Sequence, residues 1–101
     1  MLTVGARLMS AVDTTEVVVI RVQDRDARLE CGGAQMIQVG SDRPAGGRPA
    51  AGLDTGTQIG KRYQSAQAGL EVLCVRAGSG ALTVDGTPLT IRAPRPLPAS
   101  D

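Results

Sequence analysis

The chain has 101 residues and a formal charge of +1, with 11 basic and 10 acidic side chains; these are interspersed, so no one-signed field steers nucleic acid or anionic lipid, and neither is expected as a partner. It contains no histidine, tryptophan or phenylalanine and one aromatic residue, Tyr63, which removes together the usual general base, the commonest metal ligand and the base-stacking platforms. One small domain is expected, with a core of Val, Leu, Ile, Ala, Met and Cys and a narrow stability margin that favours self-association as a homo-oligomer.

Residues 1–15 read either as a short helix or as a first strand, Asp13, Thr14 and Thr15 suiting a helix cap or a turn equally. This start lacks the apolar run of a secretory signal, and no stretch reaches the roughly 18–20 apolar residues of a membrane span. A cytoplasmic location is the resulting expectation, with Cys31 and Cys74 as reduced, buried small hydrophobes.

A single β-domain is expected over 16–92. Glu16 to Val22 is β-branched and almost continuously apolar, which predicts a strand covered on both faces. Gln23-Asp24-Arg25-Asp26 then predicts a turn, and the alternation of Ala27, Leu29 and Cys31 a strand paired back as a hairpin. Gly32-Gly33 permits a bend before a short strand from Gln35 to Val39. From Gly40 to Gly56 the composition is Gly, Pro and Ala with one large apolar residue, Leu53, so a mobile loop is expected.

Thr57 to Gln64 is ambiguous but can form a strand. Leu70 to Arg76 reads as a largely buried strand, and Ala81 to Val84 as its partner. Asp85-Gly86 predicts a two-residue hairpin turn, because both central positions of the favoured turn need φ > 0. Thr87 to Arg92 completes a meander, and the alternating prolines of 93–101 predict an extended tail. No internal repeat is evident. The sum is an all-β fold, a small antiparallel barrel or sandwich of about six or seven short strands.

Few residue patterns carry chemistry. Asp54-Thr55-Gly56 is the catalytic triplet of retropepsin-like aspartic proteases, in which two copies share a carboxylate pair. Here it sits past mid-chain inside the Gly/Ala loop, where Asp, Thr and Gly are ordinary turn residues. Gly56 to Arg62 resembles a phosphate loop, but Thr55 and Arg62 stand where glycine and a hydroxyl are required. A backbone anion site aided by Lys61 and Arg62, with Tyr63 as a further polar anchor, is the remaining ligand-binding reading. Cys31-Gly32-Gly33 is similar to half a zinc knuckle; with no second Cys pair, metal would need Cys31 and Cys74 from two copies of the chain. The rhythm from Val72 to the prolines is similar to half a cupin without its His and Glu ligands. No cofactor is expected.

Leu29-Glu30-Cys31-Gly32-Gly33, Gly56 to Tyr63 and Gly69 to Cys74 together resemble a group of small uncharacterised proteins of high-GC actinobacteria. That resemblance implies no activity. The expected function is a non-enzymatic accessory or assembly domain acting through protein contacts, with a partner enzyme as one possibility. The alternatives are a small-molecule or anion module using the 40–60 loop, and a thiol device built on Cys31 and Cys74.

Overall fold

The computed structural model describes residues 2–43 and 46–92. All of its regular structure is β: β1 (Arg7–Met9), β2 (Glu16–Arg21), β3 (Leu29–Cys31), β4 (Ala34–Gln35), β5 (Ile37–Gln38), β6 (Arg62–Ser65), β7 (Leu70–Arg76), β8 (Leu82–Val84), β9 (Thr87–Pro88) and β10 (Thr90–Ile91). They form two antiparallel sheets, one ordered β10-β6-β7-β2-β1-β5 and the other β4-β3-β8-β9. Both sheets contribute to one core, with Val17, Val19, Leu70 and Val72 from the larger and Leu29, Cys31, Leu82 and Val84 from the smaller. The N-terminal segment supplies strand β1, not a helix.

The sheet order reveals an internal twofold. β1 to β5 recur as β6 to β10, and each sheet reads the same from either edge once the halves are exchanged. The axis passes between Val18 and its partner Leu73 in the larger sheet, and between Glu30 and its partner Thr83 in the smaller. Around it the registers agree residue for residue: Val17 pairs with Cys74 as Val72 does with Val19, and Glu16 with Arg76 as Glu71 does with Arg21. Leu8 faces Val17 and Gln38, as Tyr63 faces Val72 and Ile91. Backbone hydrogen bonds outside the strands repeat as well, Gly5 to Val19 matching Gly60 to Cys74, and Gly32 to Ala81 matching Asp85 to Arg28.

This corrects the sequence reading, which found no repeat. Gly5-x-Arg7, Ser10-Ala11 and Glu16-Val17 do recur as Gly60-x-Arg62, Ser65-Ala66 and Glu71-Val72. The match is hidden by a longer connection in the first half (22–28 against 77–81) and by the exchanges Leu8/Tyr63, Asp13/Ala68 and Cys31/Val84.

Two expected hairpins are also corrected. β2 does not pair with β3, nor β7 with β8; each chain segment crosses to the other sheet, and the pairing goes to the counterpart half. The runs 35–39 and 87–92 each break where Met36 and Leu89 turn into the core, so one expected strand becomes two in different sheets. These breaks and β1 raise the strand number above six or seven. The Asp85-Gly86 turn is as expected, with φ of 48° and 82°, and Gly32-Gly33 is its counterpart at 65° and 88°; positive φ at both central residues is one of the two turn geometries that match the twist of the flanking strands.

The long loop is fastened to both halves. Ala50 donates its N–H to the Gly32 carbonyl at 2.9 Å, and Ala81 donates to Leu53 at 2.8 Å. A Cβ on Gly32 would meet Pro49 and Val12, so the loop crosses in close contact there. The extended tail expected over 93–101 lies outside the described residues.

Candidate functional site

The densest cluster of polar groups sits in the turn joining β1 to β2. Ser10 opens it, donating its N–H to the Thr15 carbonyl at 2.8 Å while its hydroxyl accepts from Val12 N–H (3.1 Å) and Asp13 N–H (3.2 Å). This is the local turn that a serine side chain builds best. It aims the Asp13 carboxylate inward, where it accepts from the Thr15 hydroxyl at 2.7 Å and from Gly80 N–H at 2.5 Å. The Cys31 thiol lies 3.6 Å from the other carboxylate oxygen. The Asp13 carbonyl accepts from the Arg43 guanidinium, which ties the long loop to the same turn.

The network continues to the second half. Because the Thr15 proton goes to the carboxylate, the Thr57 hydroxyl donates to Thr15 across 3.1 Å and itself accepts from Gly78 N–H at 2.9 Å. Gly78 has no alternative at this point, since a Cβ would run into both Asp13 and Thr15. Ser10, Asp13, Thr15 and Thr57 are all buried, and no buried side-chain polar atom among the described residues lacks a partner.

Burial alone would raise the Asp13 pKa, but the hydrogen bonds from Ser10, Gly80 and Thr15 outweigh it and hold the carboxyl below the ordinary 3.8. The opposite holds for the thiols. Burial, reinforced by the neighbouring Asp13 charge, pushes Cys31 up to about 11, and burial raises Cys74. Both cysteines are free with no exposed area, and the Cys74 thiol donates to the Arg76 carbonyl at 3.3 Å. The nucleophile in thiol chemistry is the thiolate. A small alkylating reagent at pH 8 should therefore leave both thiols of the native protein unlabelled and label both in denaturant; rapid native labelling would return the thiol reading to contention.

Asp13 is thus a charge locked by donors on a buried turn, and its chemistry is to join the β1–β2 turn, β3, the long loop and the segment 78–80. The sequence-predicted residues lie elsewhere. Asp54 is exposed on the loop, away from this cluster's hydrogen bonds. Lys61 and Arg62 are exposed, and Arg62 points its charge at Glu71 (3.5 Å), a buried carboxylate also paired with Arg92 at 3.0 Å. Tyr63 is a core residue with 6% exposure, its hydroxyl accepting Gln58 N–H at 2.9 Å; it does not extend beside Lys61 and Arg62 as an anchor. Cys31 belongs to the Asp13 cluster, while Cys74 faces the Arg76 carbonyl. A metal shared between copies needs thiols within reach of a second chain, and neither reaches the surface. Among the described residues no group of three or more Cys, Asp or Glu is placed to hold a metal ion.

Sequence reasoning missed Ser10 and Thr57 and saw Asp13 and Thr15 only as helix-cap or turn residues. Ser10-x-x-Asp13 is a local turn pattern; the contact with Gly80 has no local signal. In comparisons with known proteins, no family model, no curated protein and no solved structure matches this chain.

Proposed function

We propose that the protein is a non-enzymatic accessory module that works through protein contacts and presents two equivalent apolar contacts to a twofold-symmetric partner. The observation that carries this reading is the pair Val4 and Ile59, exposed at 66% and 65%. They are counterparts across the internal axis. Each precedes a glycine in the left-handed region, Gly5 at φ 87° and Gly60 at 81°. Each glycine N–H is bonded to the neighbouring strand at 2.8 Å, Gly5 to Val19 and Gly60 to Cys74. The two aliphatic side chains are therefore held on fixed turns. An axis normal to the larger sheet keeps them at one height above it, so a single partner surface can meet both.

The locked Asp13 and the buried thiols support a role outside catalysis. The same reading takes the two sheets as the faces of a sandwich, because their inward side chains share one core. A second copy of the chain is one partner of the required symmetry, so self-association is the first property to measure.

Burying a Val or Ile side chain that is otherwise exposed contributes about 1.5–3 kcal/mol. Val4→Ser or Ile59→Ser should each weaken the complex by roughly 10-fold or more, and the double variant by at least about 100-fold. Since both side chains are exposed, the melting temperature should stay within a few degrees of the parent. Native mass spectrometry and cross-linking in the source cells read the complex, and thermal denaturation reads the melting temperature. A strictly monomeric protein with no cross-linked partner, or a double variant that keeps its partner, would refute the proposal.

A further inference from the structure

The internal twofold compares each half with the other, and it exposes one vacancy. In the second half Tyr63 buries its ring and presents its hydroxyl to the Gln58 N–H. Its counterpart is Leu8, and beside Leu8 the first half has a cavity of about 210 Å³. Leu2, Ala6, Ala27, Leu29 and Met36 complete its walls, and Gln35 and Gln38 line it as well. The counterpart of Gln58 is Thr3, whose turn is closed by the matching bond, Ala6 N–H to the Thr3 carbonyl at 3.1 Å where Lys61 N–H reaches Gln58 at 3.3 Å. The cavity thus lies where the leucine side chain ends and the phenol ring of a tyrosine would continue.

We propose that this cavity is a binding site for a small phenol. The chain already solves the same packing problem on the other side of its axis with a phenol, in the same strand register and under the same N–H donor. A closed apolar cavity of roughly 150 Å³ accepts benzene; this one, about 210 Å³ and open on the side where Gln35 and Gln38 stand, has room for one substituted ring. The Tyr63 arrangement also sets the orientation. The hydroxyl lies outward at the backbone amide and the alkyl end lies inward, where Leu8 stands. A tyrosine on a partner protein would enter with its hydroxyl first, against Leu8. The ligand is accordingly a free 4-alkylphenol, not a tyrosyl side chain.

The probe is 4-methylphenol added to the full chain, with methyl NMR shifts and the melting temperature as readouts. Saturable shifts confined to Leu2, Ala6, Leu8, Ala27, Leu29 and Met36 are expected, with a melting temperature that rises with ligand concentration. Toluene should bind more weakly because it cannot accept the Thr3 N–H, and the blocked tripeptide Gly-Tyr-Gly should leave these methyls unmoved. Leu8→Tyr should fill the cavity, abolish the phenol shifts and raise the melting temperature of the free protein. Ala6→Leu narrows the same cavity without a ring and should also abolish them, which keeps the test decisive if the tyrosine variant does not fold. Absence of saturable shifts, toluene binding as tightly as 4-methylphenol, shifts centred elsewhere, or tripeptide binding at the cavity would each overturn the assignment. None of these readouts depends on Val4, Ile59 or a protein partner.

Discussion

Asp13→Asn should lower the stability of this protein by about 2–3 kcal/mol, because the charge that strengthens these buried hydrogen bonds is lost and, with the amide oxygen kept on Thr15 Oγ1 and Gly80 N–H, the new NH2 group is turned on the Thr15 N–H and the Cys31 thiol, which the second carboxylate oxygen had accepted. The variant keeps the shape of the side chain. What it loses is the charge that draws Thr15 Oγ1 and Gly80 N–H to one carboxylate oxygen at 2.7 and 2.5 Å. For a domain of this size the melting temperature should fall by roughly 10–20 °C. The pH dependence gives a second readout. The folded Asp13 pKa lies below the ordinary 3.8, so the unfolded chain binds more protons in that interval and stability rises with pH there. The contribution is complete above the unfolded pKa and disappears as pH falls through the folded one. The difference between parent and variant should therefore begin to shrink as pH falls below the ordinary 3.8 and keep shrinking down to the folded pKa. A melting-temperature difference that is constant from pH 7 to pH 2.5 would show that Asp13 is not held ionised by these donors.

Tyr63→Ala should have the largest effect of any single substitution in the second half. Removing a buried ring costs about 3–5 kcal/mol through lost transfer energy and the cavity left behind, a large part of the roughly 5–15 kcal/mol expected for the whole domain. Tyr63→Phe removes only the hydroxyl that accepts Gln58 N–H, and should cost about 0.5–1.5 kcal/mol. Chemical denaturation followed by far-ultraviolet circular dichroism separates the two. Equal losses in both variants would mean that the hydroxyl, not the ring, holds the segment from Gln58 to Tyr63 in place.

The legible parts of the fold were those with local causes. Glu16 to Arg21 and Leu70 to Arg76 are strands because their β-branched and apolar side chains fit a covered sheet, and Asp85-Gly86 turns because its backbone must. Which strand each would pair with was not local. Hairpin pairing is the default for consecutive strands, yet here both long strands prefer each other across the axis, joining Val17 to Cys74 far along the chain. The same limit governs the site. Ser10 and Asp13 announce a turn, but the groups that make the carboxylate a structural centre, Gly80 and the Thr15–Thr57 hydroxyl pair, come from distant segments. Tyr63 misled for a related reason: its neighbours Lys61 and Arg62 are exposed, and the alternation of a strand sends the residue beside them to the opposite face.

The seam between the two halves has a consequence for molecules that meet one another. It is made of matched surfaces, and the second half of a neighbouring molecule offers the first half the same strand in the same register. What keeps the pairing at home is the intervening segment, which supplies an effective concentration on the order of millimolar. Its bonds from Ala50 to Gly32 and from Ala81 to Leu53 tie it to one half and then to the other. Loosening those bonds, or crowding the protein toward that concentration, trades partners between molecules without altering a single contact in the seam.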